Sequence, residues 1–142
     1  MRVREKKNFF KSFSSPAKQS PKRKGVKMIL KNIEHAKVLA LKDEVAYQQG
    51  QIVSKTLVQS MSVGITLFSF WKGEFISTHQ SNGDAFVVCL DGTGRVEIDG
   101  VSYVLHEGDG IVMPANVPHA VYGEENFKMM LTVVFPQINL KK

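Results

Sequence analysis

From residue 51 onward the chain divides into short apolar segments separated by Gly, Pro, Asn and Asp. "QIVSKTLVQS" alternates and is rich in β-branched residues, and "SVGITLFSFW" follows after a short break. "DAFVVCL", "GRVEID", "VSYVLH", "GIVMP", "HAVYG" and "FKMMLTVVF" continue the series. Strands recurring at about ten-residue spacing predict an antiparallel sandwich or barrel. The Asp-Gly pairs of "CLDGTG" and "IDGVS" predict two hairpin turns, because such pairs accept the positive φ angles of tight turns. "HEGDG" reads as a further Gly-rich turn. Upstream, "LKNIEHAKVLALKDEV" is compatible with a helix, but its Val and Leu content leaves the element type open. There is no internal repeat.

At 142 residues and 43% hydrophobic, the chain suffices for one domain with a sizeable core. No apolar run approaches the roughly 20 residues of a membrane span, and no segment has the build of a secretory signal. Cys89 is the single cysteine, so neither an intrachain disulfide nor a multi-cysteine zinc site is available. That usage suits the reducing cytoplasm, where the protein is expected.

The net charge of +6 is unevenly placed. Residues 1–27 carry ten Lys or Arg against Glu5 alone, whereas residues 28–142 carry nine basic against twelve acidic side chains. The excess therefore sits in "MRVREKKNFFKSFSSPAKQSPKRKGVK", a segment with two prolines, four serines and no apolar period. Such a segment buries too little surface to offset its ordering entropy and is expected to be a disordered tail. Its composition is open to several roles: a nucleic-acid arm, a transit peptide, or contact with an acidic membrane surface. A further expectation is a mis-called start. Gly25–Val26 can be encoded as GGA-GTN, a purine-rich ribosome-binding element shortly before Met28, given a bacterial source. The expected organisation is then a tail over 1–27, a lead-in over 28–50, a barrel over 51–136 and a C-terminal tail over 137–142.

Two strings in the barrel carry more specific information. "GEFISTHQSNGDAFVVCLDG" places Gly73, His79 and Gly92 in the register G-x5-H-x-H-x3,4-E-x6-G, and "GDGIVMPANVPHAVYG" places Gly108, Pro114 and His119 in G-x5-P-x-G-x2-H-x3-N. On these motifs the stretch from about residue 51 to 135 resembles the cupins. The resemblance implies an all-β fold, a double-stranded β-helix or jelly-roll barrel.

It also implies a metal site that this chain only half retains. The family's ligands are two histidines and a glutamate from the first motif and one histidine from the second. His79 and His119 occupy two of those places, whereas Ser81 and Ala85 stand at the other two. Asn116 and Gly123 replace the closing Gly and Asn of the second motif. Open catalytic metal sites usually keep three protein ligands, so two imidazoles alone would hold a metal weakly. Asp84, one place before Ala85, offers a rescue: a bulge turning it inward would make a facial triad of His79, Asp84 and His119, suited to non-haem iron or manganese, within a wider expectation of a divalent metal (Fe, Mn, Ni or Zn). Strand alternation opposes this, because adjacent residues face opposite sides, and Asp84 after Asn82–Gly83 also reads as a turn residue.

The expected function is binding of a small organic ligand in the lumen, with His79, Ser81 and His119 as polar contacts and Cys89 and Met113 in the apolar lining. The alternative is a metal-dependent enzyme of dioxygenase, isomerase or decarboxylase type using His79, Asp84 and His119. Stand-alone barrels of this kind are similar to the sensory domains of AraC-type regulators, but no DNA-binding half follows, and no nucleic acid or membrane is expected at the barrel. A homodimer is expected, with "QIVSKTLVQS" as an edge available for pairing.

Overall fold

The computed structural model describes residues 28–137. The expectations for the tail over 1–27, and for 138–142, lie outside the described residues. Seven strands form one connected antiparallel sheet: β1 (Ile52–Gln59), β2 (Val63–Phe70), β3 (Phe75–His79), β4 (Asp84–Ile98), β5 (Val101–His106), β6 (Gly110–Met113) and β7 (His119–Val134). The order is β1-β2-β7-β4-β5, with β3 also on β7 and β6 also on β4.

The two long central strands explain the architecture. β4 pairs with β7 along nearly its full length, from Asp84↔Val134 to Ile98↔His119. The first part of β4 pairs with β6 and its second part with β5, while β7 begins against β3 and ends against β2. One half of each strand therefore belongs to each face of a folded-over sheet, which is the double-stranded β-helix. The corner falls at "DGTG". Register shifts lie between Cys89/Asp91 and between Gly92/Gly94, and bulges of this kind bend a strand and sharpen its twist. Gly92 has φ +75°, and a Cβ there would lie 1.7 Å from the Asn126 carbonyl oxygen.

This corrects one expectation: Asp91–Gly92 is not a hairpin turn, so "DAFVVCL" and "GRVEID" are one strand. "HAVYG" and "FKMMLTVVF" likewise fuse into β7. Asp99–Gly100 is the expected hairpin, with φ +51° and +83° joining Ile98 to Val101.

Over residues 28–50 the chain forms no α-helix, only a 3-10 turn at Leu41–Asp43. Its apolar side chains instead cover the outer face of β1 and β2, where Val45 packs with Leu57 and Leu67. The Lys31 N–H donates to the Leu57 carbonyl (2.7 Å) and the Asn32 side chain to the Thr56 carbonyl (2.8 Å), beside a bulge between Thr56 and Val58. The free edge of β1 is therefore not a bare ladder. No helix among the described residues is long and apolar enough to cross a membrane.

Inside the barrel, Phe68, Phe70 and Phe127 pack in series as tilted rings with centroids 6.0 and 5.4 Å apart and occupy one half, with Phe68 at its border. The other half holds a cavity.

Candidate functional site

The cavity measures about 310 Å³. Its walls are mostly apolar, with Phe68, Ile76, Met113, Met129 and Leu131 among them, and its polar lining comes from Gln59, Thr66, Ser81, His79 and His119. No Lys, Arg, Asp or Glu lines it among the described residues. β3 ends at His79 and β7 begins at His119, and these two residues are register partners. Their rings meet edge to face with centroids 4.5 Å apart. His119 is 3% exposed, whereas His79 lies at the exposed mouth.

Both imidazoles are held by the same device. Nδ1 of His79 lies 2.9 Å from the Ser77 carbonyl oxygen, and Nδ1 of His119 lies 3.1 Å from that of Val117. A carbonyl only accepts, so each Nδ1 carries its proton and, in a neutral ring, Nε2 is left as an acceptor. Burial among apolar groups, then the neighbouring His79, depresses the pKa of His119, against a smaller opposing effect of the Val117 carbonyl. Ser81 accepts the Gly83 N–H at Oγ (3.1 Å), which leaves its hydroxyl proton available.

The remaining candidates divide between the cavity wall, the packed core and the surface. Met113 lines the cavity as expected. Cys89 faces the interior but is 1% exposed within the packed core, together with Phe70 and Phe127, and is not part of the cavity wall. Its Sγ is 3.6 Å from the carbonyl oxygens of Asp91 and Gly92, and burial pushes the thiol up to about 11. That is an inert environment for a cysteine. Asp84 is exposed on the opposite face from Ala85, and its Oδ1 accepts the Ala115 N–H at 2.8 Å. It ties β4 to the loop before β7, which is the turn role the alternation favours. The facial triad of His79, Asp84 and His119 is therefore not assembled.

No group of three or more His, Cys, Asp or Glu positioned to hold a metal exists among the described residues. Two imidazole Nε2 atoms, a serine and an alanine do not make the three-ligand set that a resident divalent metal needs. Asn116, by contrast, is a conservative departure from the motif. Its φ of +65° is the left-handed conformation that Gly or Asn tolerates, and its N–H donates to the Ser81 carbonyl (2.7 Å).

Sequence reasoning missed Gln59 and Thr66, which reach the cavity from β1 and β2 outside either motif. Their only signal was alternation, which does not say where along a strand a barrel stays open. A second, open cleft on the outside is lined by Tyr47, Trp71, Asp91 and Asn126, with the Tyr47 hydroxyl donating to Asp91 Oδ2 at 2.6 Å.

A jelly-roll barrel with a histidine pair in its lumen defines a class, and comparison with known proteins agrees. A family model described as a cupin domain matches residues 66–135. A conserved protein of unknown function from Streptococcus pyogenes is 49% identical at a TM-score of 0.77, over 79% of this chain and 98% of its own. A cupin superfamily protein from Desulfitobacterium hafniense is 31% identical at a TM-score of 0.73, over 77% of this chain and 100% of its own. A cupin 2 conserved barrel domain protein from Leptotrichia buccalis is 48% identical at a TM-score of 0.65, over 66% of this chain and 45% of its own. No curated protein sequence matches the chain. The chain belongs to the cupin superfamily.

Proposed function

We propose that this cupin binds a small, largely apolar organic molecule in its lumen, oriented by His79, Ser81 and His119. The observation that carries the reading is the cavity itself, about 310 Å³ of space with two imidazoles meeting on its wall. Pockets that bury small ligands span ~300–1,000 Å³ and combine apolar walls with a few convergent polar groups. Phe68, Met113 and Met129 supply an apolar, adaptable wall. Metal-dependent catalysis is the weaker reading, because the donor set lacks a third ligand and Asp84 is committed to Ala115.

The test uses the full chain labelled at its methionine methyls. Met113 and Met129 line the cavity, whereas Met61 is 76% exposed on the surface and serves as control. Titration with a library of neutral, fragment-sized compounds is expected to yield binders that shift the Met113 and Met129 signals and leave Met61 unmoved. Substituting Ala85→Phe, which fills the cavity from β4, abolishes those shifts. A library in which no compound moves the two cavity methyls sinks the reading.

A further inference from the structure

We infer that the cavity selects neutral ligands whose polar end donates hydrogen bonds, a phenol or a compact cyclic alcohol, and turns away carboxylates and phosphates. This inference rests on the lumen being a ligand site, and it adds the chemistry of the ligand.

The selection follows from which hydrogen-bonding capacity the protein has already used. Each imidazole has one donor and one acceptor when neutral. Here both donors are consumed by backbone carbonyls, those of Ser77 and Val117, at 2.9 and 3.1 Å. Two strands thus present two rings in the same tautomer, and what faces a ligand is a pair of Nε2 lone pairs. Among the described residues neither Nε2 has a hydrogen-bond partner within the protein. A ligand that fills the cavity without offering a donor leaves the acceptor of the buried His119 desolvated and unpaired, which is the most effective form of discrimination available to a polar site.

Ser81 completes the pattern. Its oxygen already accepts from Gly83, so its remaining O–H is a donor. A ligand hydroxyl matches the set, giving its proton to an imidazole and accepting from a serine. A carboxylate does not match, because it brings acceptors only, against lone pairs. It also finds no cation, since the lining contains no Lys or Arg. Nor does the site suit an ammonium ion, since it contains no Asp or Glu to pair with one. The alternative of charging a ring to receive an anion is opposed at His119 by its burial and by His79.

Size sets the rest. The cavity of about 310 Å³ is roughly twice an engineered cavity of ~150 Å³ that holds a single benzene. One or two fused rings fit, with Phe68 and the thioethers of Met113 and Met129 as the contacting wall.

A matched set of probes tests this: naphthol, its methyl ether and naphthoate, all substituted at the same ring position. Dissociation constants are read from the Met113 and Met129 methyl shifts of the full chain at neutral pH. Naphthol is expected to bind about tenfold or more tighter than the ether, and naphthoate more weakly than both. Naphthol carries a single O–H and can donate to one ring at a time, so at least one of His119→Leu and His79→Leu is expected to bring naphthol down to the affinity of the ether while leaving the ether unchanged. His79 sits at the exposed mouth, so its variant remains informative should the buried substitution fail to fold. Naphthoate binding as tightly as naphthol overturns the inference, as does a preference for naphthol that survives both single substitutions in folded protein. Should none of the three probes move the cavity methyls while other neutral compounds do, the donor rule falls and the lumen site stands. Should no compound move them, both fall together.

Discussion

His119 shows how much of a residue's chemistry is decided by its surroundings rather than its type. Its ring is buried, beside a second histidine, and both conditions disfavour the charged form. The folded-state pKa therefore lies below the unfolded value of about 6.5. Between those two values the unfolded chain holds a proton that the folded chain does not, so stability falls as pH drops through that window and is unaffected above it. Urea denaturation midpoints measured from neutral to mildly acidic pH are expected to decline, and His119→Gln to flatten that decline. An unchanged slope in the variant would assign the pH dependence to other groups. Asp84 makes the opposite point. Its sequence neighbours allowed either a ligand or a turn residue, and in the fold it is exposed and its Oδ1 accepts the Ala115 N–H.

At the scale of elements, the two Asp-Gly pairs are alike in sequence and different in structure. Asp99–Gly100 turns a hairpin in the open, where a Cβ on Gly100 would meet nothing within 4 Å. Asp91–Gly92 lies inside β4 at the barrel corner, where the Asn126 carbonyl occupies the space a Cβ would need. Gly100→Ala is expected to cost about 1 kcal/mol, the penalty of a left-handed backbone alone. Gly92→Ala carries that strain plus a backbone clash and is expected to cost at least ~3 kcal/mol. Chemical denaturation of the two variants checks this, and equal costs would contradict the corner. The hairpin signal was legible because a two-residue turn is local. The corner was not, because the clash at Gly92 comes from a residue 34 positions away on β7.

At the scale of the whole molecule, the barrel is divided between a half packed solid with phenylalanine and a half left open. That division explains why Cys89 and Met113, both interior, have different roles: one lies in the solid half and the other on the cavity wall. It also bears on metal. With no group of three or more His, Cys, Asp or Glu placed to hold a metal among the described residues, untagged protein is expected to hold far less than one equivalent of iron, manganese, nickel or zinc by elemental mass spectrometry. An equivalent of metal that disappears in the His79→Ala, His119→Ala double variant would restore the enzyme reading. The lead-in adds a second, outer core around Val45, Leu57 and Leu67, and pairs the buried Lys55 ammonium with Glu44 at 2.9 Å.

The sequence by itself determined the all-β class, and its resemblance to the cupins placed His79 and His119 at two of the family's ligand places, with Ser81 and Ala85 at the other two. The class is a matter of period along the chain, where a residue's place in a strand largely decides its face, whereas the ligand places are what the resemblance of the two motifs implies. The tertiary structure alone decided the rest. It put Asp84 on Ala115, sent Cys89 into the solid core, ran β4 straight through an Asp-Gly pair, and brought Gln59 and Thr66 to the cavity. It also set both imidazoles in one tautomer through carbonyls whose direction depends on the backbone at the ends of β3 and β7. Each of these outcomes depends on contacts or backbone directions that exist only once the sheet has closed on itself.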